Sequence, residues 1–283
     1  MTSAKGKDVC HFRVGPFFGS IIGIDLSAEH LHELDGRVPG WRRIASQDVT
    51  PKALQTRGVH VGSTWHPLSP SNNPRVLRRA INAALTGEAL CHNAVLLHGV
   101  VVARGQTAVL ILGDYNAGKT RLNQALRQHG FITLAGDLVL ISATDGHVVA
   151  GTRAVLSKWS KDITGRALPR SPLSAGDGEA RWLAETCAGG PYADIRVTAT
   201  MILGDRPTAR AQPEEAEHAL FGAFERSYLR ALARERWPTD AESGVRSLVQ
   251  GLSQRVPSFW LQSVFPDCVP QTLELIDVVT GQT

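Results

Sequence analysis

Residues Gly113-Asp114-Tyr115-Asn116-Ala117-Gly118-Lys119-Thr120 spell G-x-x-x-x-G-K-[ST]. A loop of this kind works only between the end of a strand and the start of a helix, so it commits the chain to an α/β arrangement. The flanks agree. Thr107-Ala108-Val109-Leu110-Ile111-Leu112 is a short, continuous apolar run that reads as a buried strand. Arg121 to His129 has leucines at 122 and 126, spaced i, i+4, and reads as a helix. Gly113 and Gly118 allow the bend and the close backbone approach. The amides of residues 114 to 120, which include Asp114, Tyr115, Asn116 and Ala117, can point at phosphate oxygens, helped by the positive end of the helix. Lys119 can reach the β/γ oxygens of a nucleotide, and the Thr120 hydroxyl can bind Mg²⁺. Arg121, the first residue of the expected helix, completes the candidate nucleotide-binding set.

The surrounding stretch carries more information. From Leu97 to Ile141 the chain reads LHGVVVARGQTAVLILGDYNAGKTRLNQALRQHGFITLAGDLVLI. Over about 45 of 283 residues this resembles the catalytic core of HPr kinase/phosphorylase and the wider group of HPr-kinase-like P-loop kinases. Leu97-His98-Gly99 matches that family's Leu-His-Gly strand. Gly113-Asp114 and Gly118-Lys119-Thr120 match its loop. His129-Gly130-Phe131 stands for Arg-Gly-His, and Ala135-Gly136-Asp137-Leu138-Val139 for Ala-Asp-Asp-x-Val. The downstream signature with which the family recognises the HPr protein is not evident.

One departure bears on mechanism. The family's Asp-Asp pair is Gly136-Asp137 here, so the resemblance implies that the proton-accepting first aspartate is missing. Asp137 matches the second, a candidate Mg²⁺ partner, directly or through water; a turn aspartate is the competing reading. His98 is then the leading candidate for the base. We expect it on a strand Leu96–Val102 that pairs with 107–112 across a turn at Arg104-Gly105-Gln106. The alternative for His98 is a hydrogen-bonded structural histidine. Asp114 is a second candidate base, though Asx-type bonds within the loop are its more ordinary use.

Composition is that of an ordinary globular chain, with 43% hydrophobic and 20% charged residues and a net charge of +4. No dense Lys/Arg block with interleaved aromatics points to nucleic acid. Cys10, Cys91, Cys187 and Cys268 show no metal-ligand spacing and read as thiols of a reducing compartment. The start MTSAKGKDV lacks the apolar core of a signal peptide, and no apolar run is long enough to span a bilayer. The expectation is a cytoplasmic protein with no membrane partner.

Two regions are expected. Residues 1–90 form a strand-rich N-terminal region: Val9–Val14, Ser20–Leu26 and Val59–Trp65 read as strands, Leu26–Asp35 as either a helical turn or a short strand, and Arg75–Leu90 as an amphipathic connecting helix. Residues 91–283 form the nucleotide-binding domain. In it, Leu138–Ser142 and His147–Gly151 make a hairpin turned by Thr144-Asp145-Gly146. Residues 157–192 read as a substrate-facing lid or a surface excursion. Arg196–Leu203 is a strand, with Arg206 beyond its end; Arg206 and Arg153 are either phosphoryl clamps or exposed loop arginines. Pro213–Trp237 and Ala241–Leu252 read as helices, Val256–Val264 and Leu273–Val279 as closing strands. Phe221, Phe224 and Trp260 read as core.

The fold class is α/β, and the resemblance implies a P-loop kinase core of the HPr-kinase-like type with a mixed sheet. The resemblance implies a Mg²⁺-dependent kinase that uses ATP or GTP and phosphorylates a hydroxyl on a peptide, protein or metabolite. His98, Lys119 and Asp137 are its catalytic candidates, and Thr120 and Asp137 its metal ligands. A nucleotide-binding regulatory or scaffold protein with little turnover is the alternative, and a phosphatase or phosphorylase running the same site in reverse is a third. Expected partners are nucleotide and acceptor; homo-oligomerisation stays open.

Overall fold

A strand that is apolar at consecutive positions is stable only when both its faces are covered. The computed structural model describes residues 9–14, 20–24, 28–44, 58–61, 64–67, 73–171, 181–187, 192, 194–228 and 239–281. In it, 107–113 is such a strand. The N-terminal elements are β1 (Val9–Val14), β2 (Ser20–Ile24), α1 (Ala28–Arg37), β3 (Trp41–Ile44), β4 (Gly58–Val61), β5 (Thr64–Pro67) and α2 (Pro74–Cys91). There follow β6 (Ala94–His98), β7 (Val100–Arg104), β8 (Thr107–Gly113), α3 (Lys119–Gln128), β9 (Ile132–Ala135), β10 (Leu138–Ser142), β11 (Val148–Gly151), β12 (Ala154–Ser157) and β13 (Trp182–Thr186). The chain continues through β14 (Arg196–Gly204), β15 (Ala209–Arg210), α4 (Pro213–Tyr228), α5 (Thr239–Arg255), β16 (Ser258–Gln262) and α6 (Cys268–Thr280).

The central sheet has the order β15-β16-β14-β8-β7-β9. β8, β14 and β16 run parallel, and β7 is antiparallel to both β8 and β9. Side chains alternate along β8. Ala108, Leu110 and Leu112 join a core with Leu220 and Phe224 of α4 and Val245 and Val249 of α5. Val109 and Ile111 join another with Leu122 and Leu126 of α3 and Val269 and Ile276 of α6. Both faces are thus sealed, each fully buried Leu or Ile contributing about 1.5–3 kcal/mol.

A second, antiparallel sheet has the order β11-β10-β6. Val95 and Leu97 of β6 face the α4/α5 core. Ala94 and Leu96 face the other way, onto Leu34 of α1 and Leu77, Ile81 and Leu85 of α2. The period of two therefore assigns His98 to the α1/α2 side. Smaller sheets are β2-β1-β3, β4-β5 and β12-β13.

Several expectations are corrected. Leu96–Val102 is not one strand: it breaks at Gly99, where a Cβ would come within 3.0 Å of Leu112 and 3.1 Å of the Ile111 carbonyl. His98 therefore ends β6, which pairs with β10 (Leu138 opposite His98), and only β7 pairs with β8. Leu273–Val279 lies inside helix α6; Cys268, Val269, Thr272 and Ile276, on one helical face, are its buried residues, so packing overrides the β-branched composition. Val59–Trp65 is split between the paired strands β4 and β5. Of the Leu26–Asp35 stretch, 28–35 lie in α1 and 26–27 outside the described residues, and Trp41–Ile44 is an additional strand. The 157–192 stretch contains β13, paired with β12; 172–180, 188–191 and 193 lie outside the described residues, as do 229–238 of the expected Pro213–Trp237 helix. Cys91, Cys187 and Cys268 are thiols. Among the described residues no helix is long and apolar enough to cross a membrane.

Candidate functional site

The strand-to-helix loop opens onto a cavity of about 410 Å³. Its backbone is left-handed at Gly113 (φ 145°), Asn116 (φ 70°) and Gly118 (φ 96°). At Gly113 a side chain would be strained, because the φ is one that L residues rarely adopt and a Cβ would lie 3.0 Å from both the Cβ and the carbonyl oxygen of Leu203 on β14. Helix α3 starts at Lys119, and its first turn is closed by the Leu122 amide donating to the Gly118 carbonyl at 2.9 Å. Lys119 Nζ donates to the carbonyls of Gly113 (2.8 Å) and Asp114 (2.9 Å), which folds the ammonium back over the loop. Burial lowers the Lys119 pKa to about 8; the charge of Asp137 opposes that shift and Arg226 adds to it. Thr120 Oγ1 donates to the Leu156 carbonyl at 3.4 Å, and Thr120, Asn116 and Gly118 line the cavity.

His98 and Asp137 reach the same cavity. They are neighbours because β6 and β10 pair in register and Asp137 immediately precedes β10. The Asp137 backbone is pinned at both ends. Its carbonyl accepts from the Gly99 amide at 3.0 Å, and its amide donates to Thr152 Oγ1 at 2.9 Å. Asp137 Oδ1 lies 3.3 Å from His98 Nδ1, and Oδ2 accepts from Arg37 Nη2 at 3.1 Å. His98 is 6% exposed and its ring centroid is 5.0 Å from that of Tyr115, the third residue of the loop. Burial works to raise the Asp137 pKa. It is outweighed by the charges of His98 and Arg37, the Arg37 hydrogen bond and the charge of Arg78, so the carboxyl sits well below the usual carboxylate range. The arrangement can hold the His98 imidazole in one orientation, as a carboxylate does for a general base.

Gly136 has a steric cause. A Cβ there would lie 2.4 Å from the Ala154 carbonyl oxygen and 2.9 Å from Val155 Cα on β12. The position preceding Asp137 has no room for any side chain, let alone a carboxylate.

The remaining wall is basic. Eight lining side chains are cationic (Arg37, Arg78, Arg79, Lys119, Arg121, Lys158, Arg181 and Arg226) against the single carboxylate of Asp137. Sequence reasoning found Lys119 and Arg121 and missed the other six. Arg78 and Arg79 belong to the polar face of an amphipathic helix, which at the sequence level looks like any solvated face. Arg226 comes from α4 and pairs at 2.9 Å with Asp114, whose carboxylate is 86% exposed. Asp114 is thereby tied to a guanidinium rather than to loop amides. Arg181 is carried in by β13, which Glu185 ties to Arg127 (3.1 Å) and Thr133 (2.6 Å). Trp159, 67% exposed, stands on the rim.

Arg121 is exposed, with its guanidinium 4.3 Å from the Phe265 ring centroid. The two arginines offered as clamps are engaged elsewhere. Arg153 pairs with Asp35 at 2.6 Å, and Arg206 pairs with Glu215 and stacks on Trp260. Phe224 is core, Phe221 is half-buried against it, and Trp260 is half-buried under Arg206. Among the described residues no group of three or more His, Cys, Asp or Glu is placed to hold a metal ion. No protein-family model matches the chain, and no curated protein matches it.

Proposed function

We propose that this chain is a kinase of the HPr-kinase-like P-loop group, transferring the γ-phosphoryl group of ATP or GTP to a hydroxyl. The observation that carries the reading is that the loop between β8 and α3 and the His98–Asp137 pair line one cavity with a strongly basic wall. Loop amides and Lys119 would hold the phosphates. The residues also suit Mg²⁺, since a hydroxyl (Thr120) and an ionised carboxylate (Asp137) are the hard oxygen donors it prefers, and both line the cavity. Bound there, the metal would neutralise charge between the phosphates. His98 would take the acceptor's proton as the acceptor oxygen bonds to phosphorus and the bond to the β-phosphate breaks, leaving the nucleoside diphosphate.

Lys119→Ala tests the loop. It deletes a charge-assisted contact worth about 1.5–3 kcal/mol, so calorimetry should show Mg-nucleotide affinity falling about tenfold or more. An unchanged affinity would remove the assignment. A second reading, a nucleotide-binding protein with little turnover, is favoured by one observation, the absence of room for an acidic base at Gly136. Release of nucleoside diphosphate in the presence of hydroxyl compounds, against none in their absence, separates the kinase from the binder.

A further inference from the structure

We propose that the acceptor is itself an oxyanion, a compact phosphate monoester or carboxylate whose charge is held by Arg37, Arg78, Arg79 and Asn82 of α1 and α2. This rests on the kinase reading above and adds the acceptor class to it.

The loop supplies its own donors for a nucleotide, yet α1 and α2 bring a separate set of cations to the same cavity. Arg78 and Arg37 are 12% and 16% exposed and lean on one carboxylate, Glu33, itself 2% exposed: Arg78 Nη1 is 3.2 Å and Arg37 Nη1 4.0 Å from it. Arg37 also pairs with Asp137, so with Arg79 the α1/α2 side sets three guanidiniums against the two carboxylates Glu33 and Asp137, and the surplus positive charge in this partly desolvated place favours an anion. Burial, and next the charge of Arg37, lower the Arg78 pKa to about 10. One turn along α2 from Arg78, Asn82 is 5% exposed and lines the cavity, and its Oδ1 has no hydrogen-bond partner among the described residues. The NH₂ of the same amide is the group that can donate to an oxyanion.

Position gives the cluster its role. Arg37 bonds Asp137, which touches His98. An anion on these arginines therefore lies beside the group that would take the hydroxyl proton. That places charge and reacting hydroxyl on one small molecule or one short segment. The guanidinium fork matches phosphate and carboxylate alike.

The test loads the protein with a non-hydrolysable Mg-nucleoside triphosphate, which fills the γ position, and then titrates inorganic phosphate and, separately, acetate by calorimetry. The two arms distinguish the oxyanions. Wild type should bind one of them while loaded. Arg78→Met and Arg79→Met should weaken that binding about tenfold or more, the worth of a charged hydrogen bond, and leave the affinity for the triphosphate analogue within about twofold. Arg79 is exposed, so Arg79→Met keeps the test sound where loss of the buried Arg78 impairs folding. The proposal is overturned if loaded wild type binds neither oxyanion or if the variants bind as wild type does. It is equally overturned if analogue affinity falls in step with oxyanion affinity, which would assign the arginines to the nucleotide. Failure of wild type to bind the analogue at all would instead remove the kinase reading.

Discussion

Gly136→Asp would restore the acidic pair of the resembled family, and the fold predicts that it fails as a graft. The new Cβ would stand 2.4 Å from the Ala154 carbonyl oxygen, 2.9 Å from the carbonyl carbon and 2.9 Å from Val155 Cα. Van der Waals contact lies near 3.5 Å, so β12 must retreat by about 1 Å. These are backbone atoms, and no rotamer change relieves them. Ala154 and Val155 are buried, at 4% and 0% exposure, so the retreat disturbs packed core and costs about 1–3 kcal/mol. The Gly136 amide donates to the Thr152 carbonyl at 3.2 Å and the Asp137 amide to Thr152 Oγ1 at 2.9 Å; straining this pair adds about 1 kcal/mol. A loss near 3 kcal/mol lowers Tm by about 6–12 °C. Gly136→Ala, which adds the Cβ without the charge, should show most of that loss. Gly87→Ala is the control. It sits inside α2 with nothing within 4 Å of its added Cβ, and should stabilise by about 0.5–1 kcal/mol. Scanning calorimetry on the three variants decides the matter. A Gly136→Asp protein melting within about 1 °C of wild type would refute the steric account.

Nucleotide binding should be flat with pH below about 8 and weaken above it, because Lys119 must be protonated to hold phosphate and its pKa is lowered by burial to about 8. One linked proton gives about tenfold per pH unit, and a flat calorimetric profile to pH 9.5 (about 1.5 units above) would contradict the assignment. His98→Gln should lower kcat by about 10²–10⁴-fold with nucleotide affinity retained. A folded variant, checked by its Tm, with near-normal kcat would exclude the histidine as base. Asp137→Asn should lower Tm at neutral pH. The folded pKa of Asp137 is depressed, so its contribution is full above the unfolded value and lost as pH falls through the folded one. The Tm gap between wild type and variant should therefore close on acidification below the usual carboxylate range; a gap independent of pH would show that the charge of Asp137 does not stabilise the fold.

The elements legible in the sequence are those whose determinants are local. The β8 strand, the loop turn at Gly113 and Gly118, the i, i+4 leucines of α3 and the pattern of α2 each follow from residues within one element. The sequence by itself determined that the G-x-x-x-x-G-K-T loop would sit between a buried strand and a helix, and that Asp137 would follow a short strand. What it could not contain is which elements meet. His98 belongs to a different sheet from β8 because Gly99 is pressed against Leu112 and lets the chain step between layers. α6 is helical because its buried face docks on α3 and β14, although its β-branched tail suits a strand equally well. The basic wall gathers arginines from positions 37, 78, 79, 181 and 226, which share no spacing. Only tertiary packing decides which members of several polar faces point inward, and it decided here that Arg37 meets Asp137 and that no side chain fits at Gly136.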